Sequence, residues 1–425
     1  MLSAKPGSSW YFGWNIVASA TLLTLLTVGL RMSIGPFFLP IAEDLGFSRS
    51  LLAGIIAIGM LFYGIGMPLA GYLVAVRGTR SVLLWGAALI VLSIGGAVTA
   101  RDPIAFMLAF GVGLSLGLAF ISPVSLTPVI SRWFTLRRGM ALFFLSTGSM
   151  AGIAILTPAL SYLIERYSWQ ATLLSIGAVL VLATVPIALF IVRDEAPAET
   201  DTLLGAPAAR PRIRRIIAAP ANMSVSAAVN SRPFWKVAFG LFACGYSMNL
   251  LGAHGVPMLM DHGYDAMTSS LGIGLIGFAA IFSTLVLGRL SDIIPRRNIL
   301  ACIYLIRGLG FFALLIVGTQ WELYMAATIG GFVWAGSVAL SSAILADVYG
   351  VRLVGILYGW TYLGHQIGGT ISSWLGGWGY ETFGTHWISF GSAGALLLCA
   401  SAVSMKLPLP ALVSPAPVSA EKASA

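Results

Sequence analysis

The residues of this sequence that could do chemistry are the few charged and polar side chains that fall inside long apolar stretches. Arg31 and Arg307 are the basic residues in such stretches, whereas all 15 acids fall in polar segments or at the ends of apolar runs. An unpaired arginine within a membrane costs at least about 2.5–3.5 kcal/mol on insertion scales, so its presence indicates that an anion or a ring of dipoles compensates its charge. We expect Arg31 to bind the carboxylate of a small organic anion. Arg307 is the second candidate, although it could instead brace backbone carbonyls.

Other polar residues that could line the same site fall on two further predicted helices: Tyr246, Asn249 and His254 on one, and Tyr362, His365 and Gln366 on the other. Spacings of three and four residues place Tyr362, His365 and Gln366 on one helical face. Histidine titrates nearest to neutral pH, and a bound anion nearby would favour its protonated form. Proton and anion would then each favour binding of the other. If transport is driven by protons, the carrier must use a histidine, a tyrosine or the carboxyl group of the substrate itself, and we expect His365 to carry the proton, with His254 second.

Several classes of function find no support in the sequence. There is no His-Glu-x-x-His motif and no pair of acids within an apolar run, so we expect no catalytic residues, metal or cofactor. Cys244, Cys302 and Cys399 all lie in apolar runs, where a small hydrophobic side chain is the simpler interpretation. The net charge of +9 comes from residues scattered through short turns, which argues against nucleic acid. A receptor is disfavoured because no soluble sensing domain is evident.

The elements that must position these residues are long apolar runs, since 58% of the 425 residues are hydrophobic and 9% are charged. Runs of about 20 residues can cross a hydrocarbon core of about 30 Å at 1.5 Å per residue. The sequence predicts an all-α membrane protein with twelve transmembrane helices. The predicted spans are 11–39, 50–76, 81–100, 103–131, 139–164, 169–192, 234–260, 268–288, 298–318, 322–346, 353–380 and 385–405.

An internal repeat divides these spans into two six-helix halves. Residues 71–83 return as residues 288–300, and the register holds without gaps from residue 35 onward. Such duplication is typical of transporters whose halves meet around a central site. The matched pairs are Gly35 and Gly252, Pro40 and Pro257, Asp44 and Asp261, Gly46 and Gly263, Gly71 and Gly288, Leu73 and Leu290, Arg80 and Arg297, and Leu83 and Leu300. The predicted units are an N-terminal bundle over 1–193, a linker over 194–232, a C-terminal bundle over 233–406 and a disordered tail over 407–425.

The distribution of charge predicts the orientation in the membrane. Most of the 24 lysines and arginines fall on the side that holds both termini and the 194–232 linker, whereas Arg49, Arg101 and Arg166 fall on the other side. The positive-inside rule then places both termini in the cytoplasm. We expect a monomer that crosses the plasma membrane many times, which is the inner membrane in a bacterium. His262 and His386 map to the outer edge, where we expect plain solvation.

The repeated basic turn resembles the cytoplasmic signature of the major facilitator superfamily, which has the pattern Gly-x-Leu-x-Asp-x-x-Gly-Arg-Arg after its second and eighth spans. The second copy keeps the acid as Asp292, and the first copy has none there. In that family the acid and its arginines latch helices together, which implies that Asp292 either pairs with Arg296 or Arg297 or caps a neighbouring helix. The remaining residues that we assign to this gating face are Arg77, Arg80, Arg137, Arg138, Arg289 and Asp347.

A narrower resemblance is to the monocarboxylate transporter branch of that superfamily. It lies in the segment 132–141, Arg-Trp-Phe-Thr-Leu-Arg-Arg-Gly-Met-Ala, in the pair Phe37-Phe38 and in Trp169 at the start of the sixth span. The basic residue usual in the eighth span of that branch is missing from 268–288. The resemblance implies proton-coupled transport of a monocarboxylate by alternating access. Exchange of organic anions, as in oxalate/formate carriers, is the alternative.

Overall fold

The computed structural model describes residues 11–134, 138–195, 223–291 and 294–408. Within these ranges the chain forms helices joined by short turns, and no β-strand occurs. Helices are the natural conformation of apolar runs in a membrane, because each backbone N–H must find its partner inside the same segment. The all-α architecture predicted from the sequence is confirmed for the described residues.

The helices of the first half, residues 11–195, include two π-helical stretches, Met107–Gly113 and Ile187–Ile191. In chain order the α-helices are α1 (Gly13–Met32), α2 (Gly35–Leu45), α3 (Arg49–Arg77), α4 (Thr79–Thr99), α5 (Pro103–Phe106), α6 (Leu114–Phe120), α7 (Pro123–Trp133), α8 (Arg138–Arg166) and α9 (Trp169–Pro186).

The helices of the second half, residues 223–408, include one π-helical stretch, Trp387–Gly391. In chain order the α-helices are α10 (Val225–Val229), α11 (Arg232–Asp261), α12 (Ala266–Leu290), α13 (Arg296–Ile316), α14 (Gln320–Phe332), α15 (Gly336–Tyr349), α16 (Val351–Phe383) and α17 (Ser392–Met405). The short helix α10 lies in the part of the predicted linker that the structure describes.

Ten helical segments within the described ranges are long and apolar enough to cross a membrane. The two other predicted spans correspond to α11 and α16, which are 30 and 33 residues long. The helix pattern is thus consistent with twelve spans. The observed ends differ from the predicted ends by a few residues, because a hydropathy run does not record the capping residues that begin and end a helix.

Prolines explain where two of the spans break. The first span is interrupted after Met32 and resumes as α2, with Pro36 in its first turn. The fourth span resumes at Pro123, and the hydroxyl of Ser122 accepts a hydrogen bond from Val124 N at 3.3 Å. Proline suits the first turn of a helix because its missing N–H is not needed there. Pro158, by contrast, lies inside the continuous helix α8.

The sequence repeat has a counterpart in the backbone. Gly46 and Gly263 end matching helices with φ values of 65° and 92°, a left-handed conformation that favours glycine. The matched pair Gly35 and Gly252 meets where the halves touch, since a Cβ built on Gly35 would lie 3.1 Å from the carbonyl oxygen of Gly252. Side chains at either position would push the halves apart.

Each half has its own hydrophobic core. The first core includes Leu23, Phe37 and Phe106, and the second includes Leu241 and Phe311. The cores meet at the contact between the halves, where Met32, Met150 and Ile153 of the first half pack into the second core. The boundaries at 193 and 233 stay a prediction.

Candidate anion-binding site between the halves

Arg31 lies in the last turn of α1, just before the break in the first span. Its half-buried side chain reaches across to the second half, where Nη2 donates to Oδ1 of Asn249 at 2.6 Å and to Oε1 of Gln366 at 3.2 Å. The guanidinium carbon lies 4.2 Å from the ring centroid of Tyr63 on α3, a distance at which the ring attracts the cation. Arg31, Asn249 and Gln366 together form a polar contact between the halves, which we call the Arg31 bridge.

The packing of α11 against α16 fixes the two amide partners. Asn249 Nδ2 donates to the carbonyl of Gly245 at 2.8 Å, which turns Oδ1 towards Arg31. A Cβ on Gly245 would lie only 1.8 Å from the carbonyl oxygen of His365, so the two helix backbones are nearly in contact at this level. Gln366 follows His365 on α16 and is therefore held opposite Arg31.

The positive charge of Arg31 has only neutral partners within the described ranges. Its Nη1 donates to Sδ of Met32 at 3.6 Å, its Nε has no hydrogen-bond partner, and it makes no ion pair with any residue that the structure describes. A guanidinium offers five N–H donors and binds a carboxylate through two of them at once. The bridge can therefore accept an anion without first losing an existing carboxylate partner.

A small cavity borders Arg31 on the side of the first half. Its volume is about 40 Å³, and Gly59, Phe110 and Ser115 are among its lining residues. A cavity needs roughly 10–15 Å³ to hold one water-sized group, so this one has room for a few such groups. Its lining is mostly apolar, which suits a short hydrocarbon chain attached to a charged head.

His365 lies beside the bridge and is 4% exposed. Its ring stacks on that of Tyr362, with centroids 4.9 Å apart and an interplanar angle of 4°. Neither ring nitrogen has a hydrogen-bond partner among the described residues. Arg31 and Arg307 are both within electrostatic range of the ring. The predicted group Arg31, Asn249, Gln366, His365 and Tyr362 is therefore brought together.

Tyr246, His254 and Arg307 are not part of this group. Tyr246 shares a hydrogen bond of 2.8 Å with Ser392 on α17, on another side of α11. His254 Nε2 lies 2.7 Å from the carbonyl of Ser373, so this nitrogen must carry the proton and donate. The hydrogen bonds of Arg307 go to Cys244 and Ser337 inside the second half.

The candidate gating residues that the structure describes lie on the membrane face where α1 begins and α17 ends. Asp292 and Arg137 fall outside the described residues, and the structure does not describe the side chains of Arg138 and Arg289. Arg296 pairs with Asp347 at 2.6 Å, and Arg297 donates to the carbonyl of Leu407 at 2.7 Å. Arg77 and Arg80 are exposed and form no ion pair within the described ranges. These contacts stay inside one half, so the gating roles stay a prediction.

Sequence reasoning missed a contact between the halves on the opposite face. Arg49 at the start of α3 forms a two-pronged ion pair with Asp261 at the end of α11, with distances of 2.5 and 2.8 Å. His386 Nε2 donates to the same carboxylate at 2.9 Å, and its ring stacks on Tyr380. We call these four residues the Arg49 cluster. The expectation that His386 is solvated is wrong, because His386 is 5% exposed and hydrogen-bonded to Asp261. His262 is exposed, as expected.

The cluster keeps Asp261 ionised at any ordinary pH. Asp261 lies just past the last predicted membrane residue, and its partial burial would raise the carboxyl pKa. The hydrogen bonds from Arg49 and His386 outweigh burial and lower the pKa of Asp261 to about 2. A backbone contact adds to this closure, since Ser50 N donates to Glu381 Oε2 at 2.6 Å.

The signal that could have found this cluster is the repeat itself. Asp261 matches Asp44, and both aspartates bind other helices at the same membrane face. Asp44 accepts hydrogen bonds from Trp169 at 3.1 Å and from Gln170 at 2.8 Å. An aspartate that recurs at the same helix end in both copies of the repeat therefore indicates a specific contact with another helix.

No group of three or more histidine, cysteine or acidic residues within the described ranges could hold a metal ion. Comparison with known proteins identifies the kind of chain this is. The family model described as Major Facilitator Superfamily matches residues 20–317 and 239–425. Among solved structures, a bacterial homolog of the human lysosomal transporter Spinster, in an inward-facing and occupied conformation, has the same fold. It is 16% identical, with a TM-score of 0.70 and 95% and 97% of the two chains covered.

Curated relatives cover nearly the whole chain. Monocarboxylate transporter 11 of Homo sapiens is 28% identical, with 96% of this chain and 84% of that protein covered. Monocarboxylate transporter 13 of Rattus norvegicus is 24% identical over 95% and 90%. The uncharacterized MFS-type transporter YcxA of Bacillus subtilis is 26% identical over 86% and 87%. The resemblance inferred from the basic turns and from 132–141 is confirmed.

Proposed function

Because this chain belongs to the Major Facilitator Superfamily and is therefore a multi-pass membrane transporter of small molecules rather than an enzyme, we propose that its substrate is a small monocarboxylate carried together with a proton. The observation that carries this proposal is the Arg31 bridge. It is a half-buried guanidinium between the halves, and its described partners are neutral. Two curated relatives are named for monocarboxylates, which supports the same substrate class.

The substrate carboxylate binds Arg31 by displacing the weaker contacts with the amide oxygens. A carboxylate carries the opposite charge and takes two parallel N–H bonds of the guanidinium, whereas each amide oxygen is neutral and takes one, so the exchange is favourable. Asn249 and Gln366 are positioning residues that hold the guanidinium until the anion arrives. The short apolar chain of the substrate enters the cavity beside Gly59 and Phe110.

His365 carries the coupled proton. The ring forms no ion pair with a described acid, and an anion bound at Arg31 favours the charged imidazolium. Each ligand thereby raises the affinity for the other by the same factor. Tyr362, stacked on the ring, keeps His365 in place through this change.

The halves rock around this site, and the Arg49 cluster closes one face. Hydrogen bonds from Arg49, Ser50 and Ser161 cross between the halves on that face. The opposite face is the one where α1 begins and α17 ends. The charge distribution supports placing that face in the cytoplasm, and the membrane is then the plasma membrane.

A thermal-shift screen of purified protein tests the substrate class. Short monocarboxylates should raise the melting temperature of the wild type and leave that of Arg31→Gln unchanged, because a ligand stabilises only the state that binds it. Equal stabilisation of both proteins would place the anion site elsewhere. Accumulation in liposomes that follows a pH gradient supports symport, and accumulation that needs an internal anion indicates the oxalate/formate type of exchange.

A further inference from the structure

A second buried arginine lies inside the second half of the bundle. Arg307 on α13 is 1% exposed. Its Nη1 donates to Cys244 Sγ at 3.5 Å and to Ser337 Oγ at 3.3 Å, and its guanidinium carbon lies 4.3 Å from the ring centroid of Trp334. Nε and Nη2 have no hydrogen-bond partner in the part of the chain that the structure describes. The Arg31 bridge does not account for this residue.

The surroundings of Arg307 are rich in hydrogen-bond donors. Trp334 Nε1 is a second buried donor for which the described residues supply no acceptor, and Ser337 Oγ shares its hydrogen bond of 3.1 Å with Cys244. Tyr304, one turn before Arg307, is fully buried and interacts with it electrostatically. None of the described acids forms an ion pair with Arg307. Neutral sulfur and hydroxyl groups compensate a buried charge poorly.

His365 provides an independent observation that points to the same place. It is a nearly buried polar side chain on α16 with both ring nitrogens unpartnered among the described residues, and it lies within electrostatic range of Arg307 as well as of Arg31. Cys244, which Arg307 contacts, adjoins Gly245, whose position touches the carbonyl of His365. Arg307 is therefore connected to the level of His365 through the adjacent residues Cys244 and Gly245 of α11.

We propose that Arg307 forms a second anion-binding site, which takes one singly charged group in two-pronged contact with Nε and Nη2. These adjacent donors match the spacing of two carboxylate oxygens and can also converge on one halide ion. The face of Trp334 holds the plane of the guanidinium. The group is either a free inorganic anion such as chloride or the second carboxylate of a dicarboxylate substrate held at Arg31. The second of these sources rests on the proposed function, whereas the first does not.

Melting temperatures of the purified full-length protein test this site, with ionic strength held constant by a bulky sulfonate. The probes are chloride, acetate and succinate, and the variants are Arg307→Gln and Arg307→Lys, with Arg31→Gln as the matched control. The wild type should be stabilised by chloride if the site takes a free anion, and more strongly by succinate than by acetate if the site takes a second carboxylate. Arg307→Gln should lose that response and keep the response to acetate, and Arg307→Lys should show at least about tenfold weaker apparent affinity.

Two further readings separate the explanations. A chloride effect that adds to that of acetate and survives Arg31→Gln identifies a free anion, and a succinate affinity that falls to that of acetate in Arg307→Gln identifies a second carboxylate. If the wild type responded to chloride and not to acetate, the proposed function would be refuted and the second anion-binding site would remain. In anion-free buffer Arg307→Gln should melt no lower than wild type, because it removes an uncompensated charge. Unchanged responses of Arg307→Gln to all three probes, or a much lower melting temperature in anion-free buffer, would overturn the proposal.

Discussion

At the residue scale, the difference between a guanidinium and other polar groups decides how Arg31 acts. Its contacts with Asn249 and Gln366 use one nitrogen, Nη2, which leaves Nε and Nη1 without an oxygen partner among the described residues. A lysine in the same place would keep the charge and lose the planar fork. Substitutions of Arg31 can therefore test the contribution of its charge separately from that of its planar shape.

We expect Arg31→Lys to bind substrate about tenfold more weakly, the loss of roughly one charge-assisted hydrogen bond, and Arg31→Gln to bind almost none. Titration calorimetry on purified protein measures both affinities. Arg166→Gln is the matched control, because Arg166 is exposed and forms no ion pair with a described residue. Wild-type affinity in Arg31→Gln would exclude the bridge as the substrate site.

His365 and His254 form a natural comparison, since both are buried histidines on helices of the second half. His365→Gln should abolish accumulation driven by a proton gradient and spare substrate exchange without a gradient. His254→Gln should keep coupling and lower the thermal stability, because the His254 proton is already donated to Ser373. Liposome uptake at several pH values separates the two. If the double variant kept the wild-type pH dependence, proton movement would lie on another group or on the substrate.

At the element scale, the crossing of α11 and α16 holds the amide partners of Arg31. Gly245→Ala should reduce stability by about 1–3 kcal/mol, the usual cost of overpacking, since its Cβ would meet a backbone oxygen 1.8 Å away. It should also weaken substrate binding by displacing Gln366. Gly359→Ala on α16 is the control, because nothing lies within 4 Å of its Cβ position. Chemical unfolding and affinity measurements would show no difference between the two variants if the crossing were unimportant.

The Arg49 cluster is an element-scale contact as well, because it joins the ends of α3 and α11. Arg49→Gln should raise the labelling rate of single cysteines placed on that membrane face, since the variant removes the one ion pair that crosses between the halves within the described ranges. Arg101→Gln is the control, as its pair with Asp44 is exposed and lies within one half. A labelling rate that stays at the wild-type level would show that the cluster does not close this face.

The low pKa of Asp261 adds a pH dependence to this contact. A carboxyl group with a lowered pKa in the folded protein contributes stability above its unfolded pKa, and that contribution is lost as pH falls towards about 2. Changing the pH from 7 to 5 should therefore leave the cysteine labelling rate on this face unchanged relative to that of a fully exposed reference cysteine, whose reactive thiolate fraction falls with pH in the same way. Opening at pH 5 would contradict the assignment of this closure to the ion pair of Asp261.

Element positions could be read from the sequence, and most contacts could not. A run of about twenty apolar residues predicts a span whose ends are known to within a few residues. The breaks at Pro36 and Pro123 follow because proline has no N–H to donate and suits the first turn of a helix. Asn249 and Gln366 could be proposed because polar residues are rare in these helices. That Tyr246 turns to α17, or that Arg49 meets Asp261, depends on which helices pack together, and hydropathy carries no such information.

At the scale of the whole molecule, the two halves are related by the repeat but differ in charge. Matched glycines meet at the contact between the halves, and the substrate arginine, Arg31, comes from the first half while its amide partners come from the second. A rocking motion that separates the halves on one face must therefore change the contacts of Arg31. Substrate binding at Arg31 can then determine which face opens.

Uptake of a radiolabelled short monocarboxylate into liposomes that contain the purified protein tests this account most directly. With an inward proton gradient, the wild type should accumulate the anion above its external concentration, and Arg31→Gln should take up no more than empty liposomes. Collapse of the gradient should abolish accumulation and leave exchange intact. If wild type transported no carboxylate, or if Arg31→Gln transported as well as wild type, the central claim that this carrier moves an organic anion through Arg31 would be contradicted.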